Sequence, residues 1–144
     1  GYTLLPIIKL YGTDFTDVQI DSILDEQGVD IYTKIQLRYP EGMATAKMGV
    51  GVKSEGELVI AGTKGYLLAP SPWWLTHKFE VRREDPNDVE HYEPAFQGDG
   101  LRYEISEFIG KINGTAKRDY KLTAEESIAM SRIVEQFMKD RGEV

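Results

Sequence analysis

Apolar and polar residues alternate along most of the first two thirds of the chain, and a period of two is typical of half-buried β-strands. The clearest run covers residues 31–39, where Thr33, Ile35 and Leu37 share one face and amphipathic or charged side chains occupy the other. Glycine and proline turns separate this run from its neighbours. The pattern predicts seven strands, at residues 18–22, 31–39, 44–52, 57–61, 66–69, 77–83 and 90–96.

Three other segments have the character of α-helices. Residues 2–10 are apolar almost throughout, and Gly12 ends them in the manner of a helix C-cap. Residues 101–112 form a second amphipathic helix. A third begins with a capping box, in which Glu126 follows Thr123 at the required spacing. The apolar stripes consist of Leu101, Ile105, Phe108, Ile109 and Ile112 in the second helix and of Met130, Ile133, Val134, Phe137 and Met138 in the third.

The apolar stripes of the second and third helices need a partner, and the sheet is the only one large enough. We therefore expect an α+β fold in which one open, mostly antiparallel sheet carries all three helices on a single face. The other face would display side chains such as Tyr32, Thr45 and Lys47. This face would be exposed to solvent in a monomer or would form a subunit interface, and the interface is the more usual role of a broad open sheet face.

Composition narrows the classes of protein. A chain of 144 residues with 41% hydrophobic and 28% charged residues is typical of one globular domain, so we treat residues 1–144 as a single domain. No apolar run approaches the roughly 20 residues of a membrane-spanning helix, and we expect no membrane partner. The net charge of −7 opposes binding to nucleic acid. The absence of cysteine excludes disulfides and is compatible with a cytoplasmic location.

Three kinds of functional motif were considered, and the sequence does not satisfy the residue spacing or the structural context that each requires. Residues 49–54 begin like a dinucleotide-binding fingerprint, but Ser54 stands where the third glycine belongs and a strand follows where a helix is required. The two histidines, His77 and His91, lack nearby cysteines or closely spaced carboxylates that would complete a metal site. No Gly-x-Ser-x-Gly motif for a nucleophilic serine occurs. We expect neither a metal site nor a nucleotide-binding unit within this chain.

The most suggestive local feature is the pair Trp73 and Trp74, which follows two prolines. Adjacent indoles held by prolines form a rigid amphipathic surface that suits stacking on a sugar ring, and His77 is close enough in sequence to add a polar group. The alternative is that one or both indoles fill a corner of the core or a dimer contact. Arg102 and Tyr103, at the start of the second helix, have the same two interpretations.

Four pieces of the chain occur in an order that resembles a known domain. They are EGELVIAGTKGYLLAPSPWW, FEVR, GLRYEISEFIGKI and TAEESIAMSRIVEQ. Together they resemble the C-terminal domain of the glucose-fructose oxidoreductase / inositol dehydrogenase / MocA family, over essentially the whole chain. The resemblance implies the open-sheet fold of the glyceraldehyde-3-phosphate dehydrogenase C-terminal domain.

The resemblance also implies a function. Members of the family join an N-terminal Rossmann domain that binds NAD or NADP to this C-terminal domain, which supplies substrate contacts and subunit interfaces. They oxidise or reduce a hydroxyl or carbonyl group of a sugar, cyclitol or related small molecule. The Rossmann domain is absent from this chain, so we expect the chain alone to bind no cofactor and to be catalytically incomplete. The implied substrate-binding residues are Trp73, Trp74, His77, Arg102 and Tyr103.

The resemblance further assigns a catalytic position to Tyr2. The family's domain normally opens with Asp-x-x-x-His, and alignment through LLPIIKLYG places Tyr2 at the last position of that motif. The aspartate would precede Gly1, and the lysine of the family's Glu-Lys-Pro motif would lie further upstream, so we expect this chain to have been cut from a longer protein. A phenol in place of imidazole is a poorer base at neutral pH, and it more readily donates a hydrogen bond to a substrate oxygen.

Two alternatives to the dehydrogenase domain stay open. The chain could be a non-enzymatic small-molecule-binding or assembly module whose open sheet face is the functional surface and whose tryptophans anchor an interface. It could also be a complete small-molecule-binding α+β domain. The expected homo-oligomer fits the first alternative as well as the dehydrogenase hypothesis, so an oligomer by itself does not choose between them.

Overall fold

The structure, a computed structural model, describes residues 1–115 and 122–141. These residues form two compact units, one of residues 1–54 and 122–141 and one of residues 55–115. The elements are, in chain order, α1 (Leu5–Tyr11), β1 (Asp17–Leu24), β2 (Asp30–Tyr39), β3 (Gly42–Gly49), β4 (Leu58–Gly62), β5 (Gly65–Ala69), β6 (Phe79–Arg83), β7 (Val89–Tyr92), α2 (Gly100–Ile112) and α3 (Ala124–Asp140).

The first unit is a three-stranded antiparallel sheet in the order β1-β2-β3, here called sheet A, with α1 and α3 on one face. Because side chains alternate along β2, Thr33, Ile35, Leu37 and Tyr39 all point into the core, and Leu37 is 0% exposed. The helices cover them with apolar side chains, namely Leu4, Ile7 and Ile8 at α1 and Ala129 and Ile133 on α3. The predicted packing of the first and third helices on one sheet face is confirmed.

A polar contact joins α1 to the start of α3. The predicted capping box is present, because the amide of Glu126 donates to Thr123 Oγ1 at 3.1 Å and the amide of Thr123 donates to Glu126 Oε2 at 2.8 Å. Lys9 Nζ of α1 also donates to the Glu126 carboxylate, at 2.8 Å and 2.9 Å. The hydrogen bond from Lys9 is the main reason that the pKa of Glu126 lies below its usual value. The N-terminus of α3 is therefore held to α1 by the same carboxylate that caps it.

The second unit contains a four-stranded antiparallel sheet in the order β4-β5-β6-β7, here called sheet B. All seven predicted strands occur, and the α+β class is confirmed. The expectation of one continuous sheet is wrong for the described residues, because β3 and β4 do not pair. Eight residues separate Gly49 from Leu58, and they include an 87% exposed Val50, so no tight hairpin joins the two strands. Alternation predicts strands, but it does not specify which strand edges form hydrogen bonds.

The apolar stripe of α2 was expected to pack on the sheet, and it does not. The helix occurs where the period predicts it, but its stripe is 50–69% exposed. Its less exposed side carries Tyr103, Glu107 and Gly110 instead. Strand β7 ends at Tyr92, which leaves Phe96 outside the strand that was expected to include it.

Candidate functional site

The Trp73–Trp74 segment is a turn held against the start of the second unit. The Trp73 amide donates to the carbonyl of Gly56 at 3.0 Å, and the Ser71–Pro72 peptide bond is cis. Gly56 has a φ of 69°, and a Cβ atom there would lie 2.8 Å from Ser71 Oγ, so this approach requires glycine. The two indoles meet edge to face with ring centroids 6.2 Å apart. Trp74 is 50% exposed, which leaves its ring available to a ligand.

A second aromatic group brings together two of the predicted substrate-binding residues. His77 lies 4.9 Å from the ring of Phe96, and Phe96 in turn meets Tyr103 edge to face at 6.2 Å. The amide of Gln97 donates to the Tyr103 hydroxyl at 2.7 Å. Phe96 is therefore the residue that links His77 to the start of α2. Sequence analysis placed Phe96 in a strand, although Pro94 and Gly98 on either side of it are residues typical of a loop.

The other two candidates are accessible side chains with different surroundings. Arg102 is exposed in the first turn of α2, next in sequence to Tyr103, and its Cδ lies 3.9 Å from where a Cβ of Gly98 would stand. Tyr2 precedes α1 in the first unit and is 74% exposed. Tyr2 is thus not a core residue.

Sheet B carries ionic groups on both faces. On one face Arg82 donates to Glu80 at 2.8 Å, and His91 Nδ1 lies 3.4 Å from the same carboxylate. The hydrogen bond from Arg82 is the main cause that lowers the pKa of Glu80. On the opposite face Glu90 accepts hydrogen bonds from Tyr92 and Arg83, and these lower the pKa of Glu90. Because each carboxylate already has a cationic partner, we do not assign either group to the site.

An open groove of about 370 Å³ lies at the β4–β5 turn. Its lining consists of the turn residues 62–65 with Ile60, Ala61, Tyr66, Leu67, Val81 and Arg83. None of the six predicted site residues lines it. Its lining includes polar side chains such as Lys64 and Arg83, but we assign none of them to the site.

The described residues do not fit a nicotinamide dinucleotide. Every strand pairing within residues 1–115 and 122–141 is antiparallel, whereas these cofactors bind at the carboxyl ends of parallel strands in βαβ units. In the same part of the chain, no three histidine, aspartate or glutamate side chains are grouped so that they could hold a metal ion. No helix among the described residues is both long and apolar enough to cross a bilayer.

Comparisons with known proteins identify the fold. A scan against family models finds no match, and a search of curated proteins finds none. Solved structures do match. The chain is 16% identical to UDP-N-acetylglucosamine 3-dehydrogenase GnnA from Acidithiobacillus ferrooxidans, with a TM-score of 0.69, and the match covers 98% of this chain and 44% of that one.

Two further structures give the same result. A Klebsiella pneumoniae protein named only as an oxidoreductase matches at 13% identity and a TM-score of 0.68, over 98% of this chain and 45% of its own. The protein YhhX, also named only as an oxidoreductase, matches at 17% identity and a TM-score of 0.63, over 96% of this chain and 46% of its own. The chain has the fold of one part of these oxidoreductases, and it spans less than half of their length.

Proposed function

We propose that this chain is the C-terminal, substrate-binding and subunit-contacting domain of an NAD(P)-dependent oxidoreductase of the glucose-fructose oxidoreductase / inositol dehydrogenase / MocA family. Its substrate is a sugar, a cyclitol or a related hydroxy or keto compound. The observation that carries the proposal is the match of 98% of this chain to part of a protein named as a sugar-nucleotide dehydrogenase. The sequence resemblance to the family is a separate argument for the same conclusion.

The aromatic groups of the second unit suit a sugar ring. The C–H face of a sugar is apolar and stacks on an exposed indole, a role that we assign to Trp74, with Trp73 supporting it edge to face. Tyr103 already accepts a hydrogen bond from the Gln97 amide, so its own proton is free to be donated to a substrate hydroxyl. His77 and Arg102 supply further polar contacts. For Tyr2, in the first unit, we keep the role that the family resemblance implies, which is donation of a hydrogen bond to a substrate oxygen.

The cofactor, NAD or NADP, is held by a Rossmann domain in a longer protein, because the described residues do not fit it. When bound there, the nicotinamide supplies or accepts the hydride. The residues of this chain orient the substrate and exclude water, and they cannot transfer the hydride themselves. We place the protein in the cytoplasm, to which the absence of cysteine is suited.

Because the cofactor is held by the Rossmann domain, we predict that the isolated chain is catalytically inactive. We expect no NAD(P)H-dependent turnover from this chain on a panel of sugars, cyclitols and sugar nucleotides, measured by nicotinamide absorbance. The longer protein that includes the Rossmann domain should turn over at least one member of the panel. In that protein Trp74→Ala should raise KM by about tenfold, the effect of losing roughly 1.4 kcal/mol of stacking. The control, Leu75→Ala, removes a similarly exposed neighbour and should leave KM unchanged.

Each outcome has a distinct meaning. Turnover by the isolated chain would overturn the division between the two domains. Absence of turnover by the longer protein on every sugar and cyclitol would overturn the substrate class. If Trp74→Ala and Leu75→Ala changed KM equally, the indole of Trp74 would not be part of the substrate site. Ligand binding can also be followed by tryptophan fluorescence, because the sequence of this chain contains only Trp73 and Trp74. In the longer protein, tryptophans of the added domain would contribute to the signal. A variant in which that domain has no tryptophan would restrict the signal to Trp73 and Trp74.

The open face of sheet A supports the subunit contact. On this face the register places Asp17 beside Arg38 and Asp21 beside Lys34, so an acidic column on β1 runs next to a basic column on β2. A two-fold axis parallel to the strands, above the β1–β2 seam, sets each acidic column opposite the basic column of a second copy. Such a face is complementary to itself, as an isologous dimer requires.

The contact is tested by reversing the basic column. We expect the double variant Lys34→Glu, Arg38→Glu to convert a dimer into a monomer in light-scattering measurements, because four acidic side chains then face four others. Lys53→Glu with Lys64→Glu makes the same change of charge outside this face and should leave the dimer intact. A dimer that survives the first double variant would contradict the proposed face.

A further inference from the structure

Helix α2 ends at its carboxyl terminus in a glycine cap. The amide of Gly114 donates to the carbonyl of Lys111 at 3.2 Å, and the amide of Thr115 donates to the carbonyl of Gly110 at 2.8 Å. Gly114 itself has a φ of 66°, in the left-handed region. The two hydrogen bonds and the left-handed glycine together form a Schellman motif, which satisfies carbonyl groups at the end of a helix. The main chain of residues 110–115 is therefore held in one conformation.

Asn113, the residue before this glycine, has a side chain that the next main-chain nitrogen can attack. Glycine has no side chain, so its nitrogen approaches without steric hindrance. In deamidation the Gly114 nitrogen forms a bond to Cγ of Asn113 and gives its proton to a base in the solvent. The bond from Cγ to Nδ2 then breaks, and Nδ2 takes up a proton and leaves as ammonia. Water opens the resulting five-membered imide at either carbonyl, which gives aspartate or isoaspartate.

The folded conformation of Asn113 keeps the reacting atoms apart. The imide ring contains the Gly114 nitrogen together with Cβ and Cγ of Asn113, so this nitrogen must eclipse Cβ about the Cα–C bond. In the structure Asn113 has a φ of −84° and a ψ of 0°. At this ψ the Gly114 nitrogen eclipses the Asn113 nitrogen instead, and Cβ lies about 120° away around the same bond. Ring closure therefore requires a large rotation of ψ.

The hydrogen bonds of the Schellman motif oppose that rotation. Turning ψ of Asn113 moves the amide of Gly114 away from the carbonyl of Lys111, and it moves the amide of Thr115 away from the carbonyl of Gly110. The proton that Gly114 must lose is itself held in the first of these hydrogen bonds. Both hydrogen bonds have to open before the nitrogen attacks, so the free energy of opening lowers the rate of deamidation.

We propose that Asn113 is a modification site, which the Schellman cap of α2 protects in the folded chain and which deamidates when the end of the helix opens. The proposal does not rest on the oxidoreductase function. It depends only on the main-chain geometry of residues 110–115, so it is also independent of what covers the apolar stripe of α2. The co-reactants are water and base from the solvent, and no enzyme is required.

Either product makes the end of α2 less stable. An aspartate at residue 113 puts a negative charge at the carboxyl terminus of the helix, where the helix dipole is also negative. An isoaspartate adds a methylene group to the main chain, so Gly110 and Thr115 no longer have the spacing that the cap requires. Ammonia is lost to the solvent, so the reaction does not reverse. The modification therefore keeps open the helix end whose opening allowed it.

The first test compares the folded chain with a peptide of residues 109–117, which is too short to form a stable helix. Deamidation of Asn113 is followed by peptide mass spectrometry at one pH. In buffer, the chain should react at least about tenfold more slowly than the peptide, because only the chain has the cap. In urea, the two rates should be equal. Asn87, the only other asparagine, precedes Asp88 instead of glycine and should react slowly in both solvents.

The second test changes the cap without changing the reacting dipeptide. Thr115→Pro removes the amide that donates to Gly110, so it should speed deamidation of the folded chain at least about fivefold. Thr115→Ser keeps this amide and should leave the rate unchanged. Ile112→Ala, at a residue that is 69% exposed, should slow the reaction about twofold, because alanine has the higher helix propensity. In urea all three variants should react at the wild-type rate.

Far-UV circular dichroism and tryptophan fluorescence establish that each variant is folded before its rate in buffer is compared. If Thr115→Pro does not fold, the comparison rests on Ile112→Ala, which acts in the opposite direction and cannot be explained by unfolding. A third measurement examines the product. Anion exchange separates the deamidated protein, because it has gained a carboxylate. Amides of residues 110–115 should exchange with deuterium faster in this fraction than in the unmodified one, and those of β6 should exchange equally in both.

Three results would contradict the proposal. If the folded chain and the peptide reacted at the same rate in buffer, the fold would not protect Asn113. If the folded variants of residues 112 and 115 all reacted at the wild-type rate, the protection would not come from the end of α2. If the deamidated and unmodified fractions exchanged equally at residues 110–115, the modification would not keep the helix end open.

Discussion

Leu37→Ala is expected to lower the free energy of unfolding of the first unit by about 2 to 5 kcal/mol, the range for removing a buried leucine and leaving a cavity. Leu37 is 0% exposed in the middle of the central strand β2, with α1 and α3 packed over it. Its register partners, Val18 and Ala44, flank it on β1 and β3, so backbone hydrogen bonds on both sides keep the strand from closing the void. The loss should therefore be toward the upper part of that range.

The measurement is urea denaturation followed by far-UV circular dichroism, because both tryptophans belong to the second unit and the first unit contains none. Leu10→Ala is the matched control, since Leu10 is 51% exposed on α1, and it should cost less than about 1 kcal/mol. If the two substitutions cost the same, the described core would be wrong. Unchanged tryptophan fluorescence in Leu37→Ala would further indicate that the second unit keeps its structure.

Gly65→Ala is expected to destabilise the second unit by about 3 kcal/mol or more. Gly65 has a φ of 152°, and an added Cβ would lie 2.3 Å from the carbonyl oxygen of Arg82 on the neighbouring strand. That oxygen belongs to the backbone of β6, so no side-chain rotation relieves the clash. Strands β5 and β6 must separate at the end of the sheet or the residue must leave its conformation. The same sheet precedes and follows the Trp73–His77 segment, so the sugar binding that we propose for this segment should weaken with it.

Gly62→Ala, three residues earlier in the same hairpin, is the control. A Cβ at that position would meet only the carbonyl oxygen of Gly65, at the ordinary distance of 3.4 Å. We expect a change within about 1 kcal/mol, measured by the denaturation midpoint of tryptophan fluorescence. Similar losses at both glycines would mean that helix or strand propensity, rather than the close approach to β6, determines the outcome.

Much of the local structure could be predicted because it depends on nearest neighbours in the chain. The alternation of Thr33, Ile35 and Leu37 with polar residues predicted both the strand and the face that is buried. The capping box of Thr123 and Glu126 predicted the start of α3, and the structure forms both of its hydrogen bonds. These features need only a few consecutive residues to be satisfied, so the sequence carries a complete signal for them.

The candidate site could be predicted only in part. Sequence analysis named His77 and Tyr103 but not Phe96, whose ring lies between them in the structure. It assigned residues 90–96 to a strand that returns after the turn at residues 85–88. How far such a strand continues depends on its hydrogen-bonding partner, and the pairing of β7 with β6 ends where Tyr92 meets Phe79. The roles of Tyr2, Trp74 and Arg102 stay predictions that depend on the proposed experiments.

By itself, the sequence determined the number, type and approximate limits of the helices and strands, because period, capping and turn residues act over short distances. Only the tertiary structure decided that the strands divide into sheets A and B and that α2 presents its apolar stripe to solvent. Strand pairing and helix packing join residues far apart in the chain, and several arrangements of the same elements satisfy one hydrophobic pattern. The choice among them depends on the total packing and hydrogen bonding of the folded molecule.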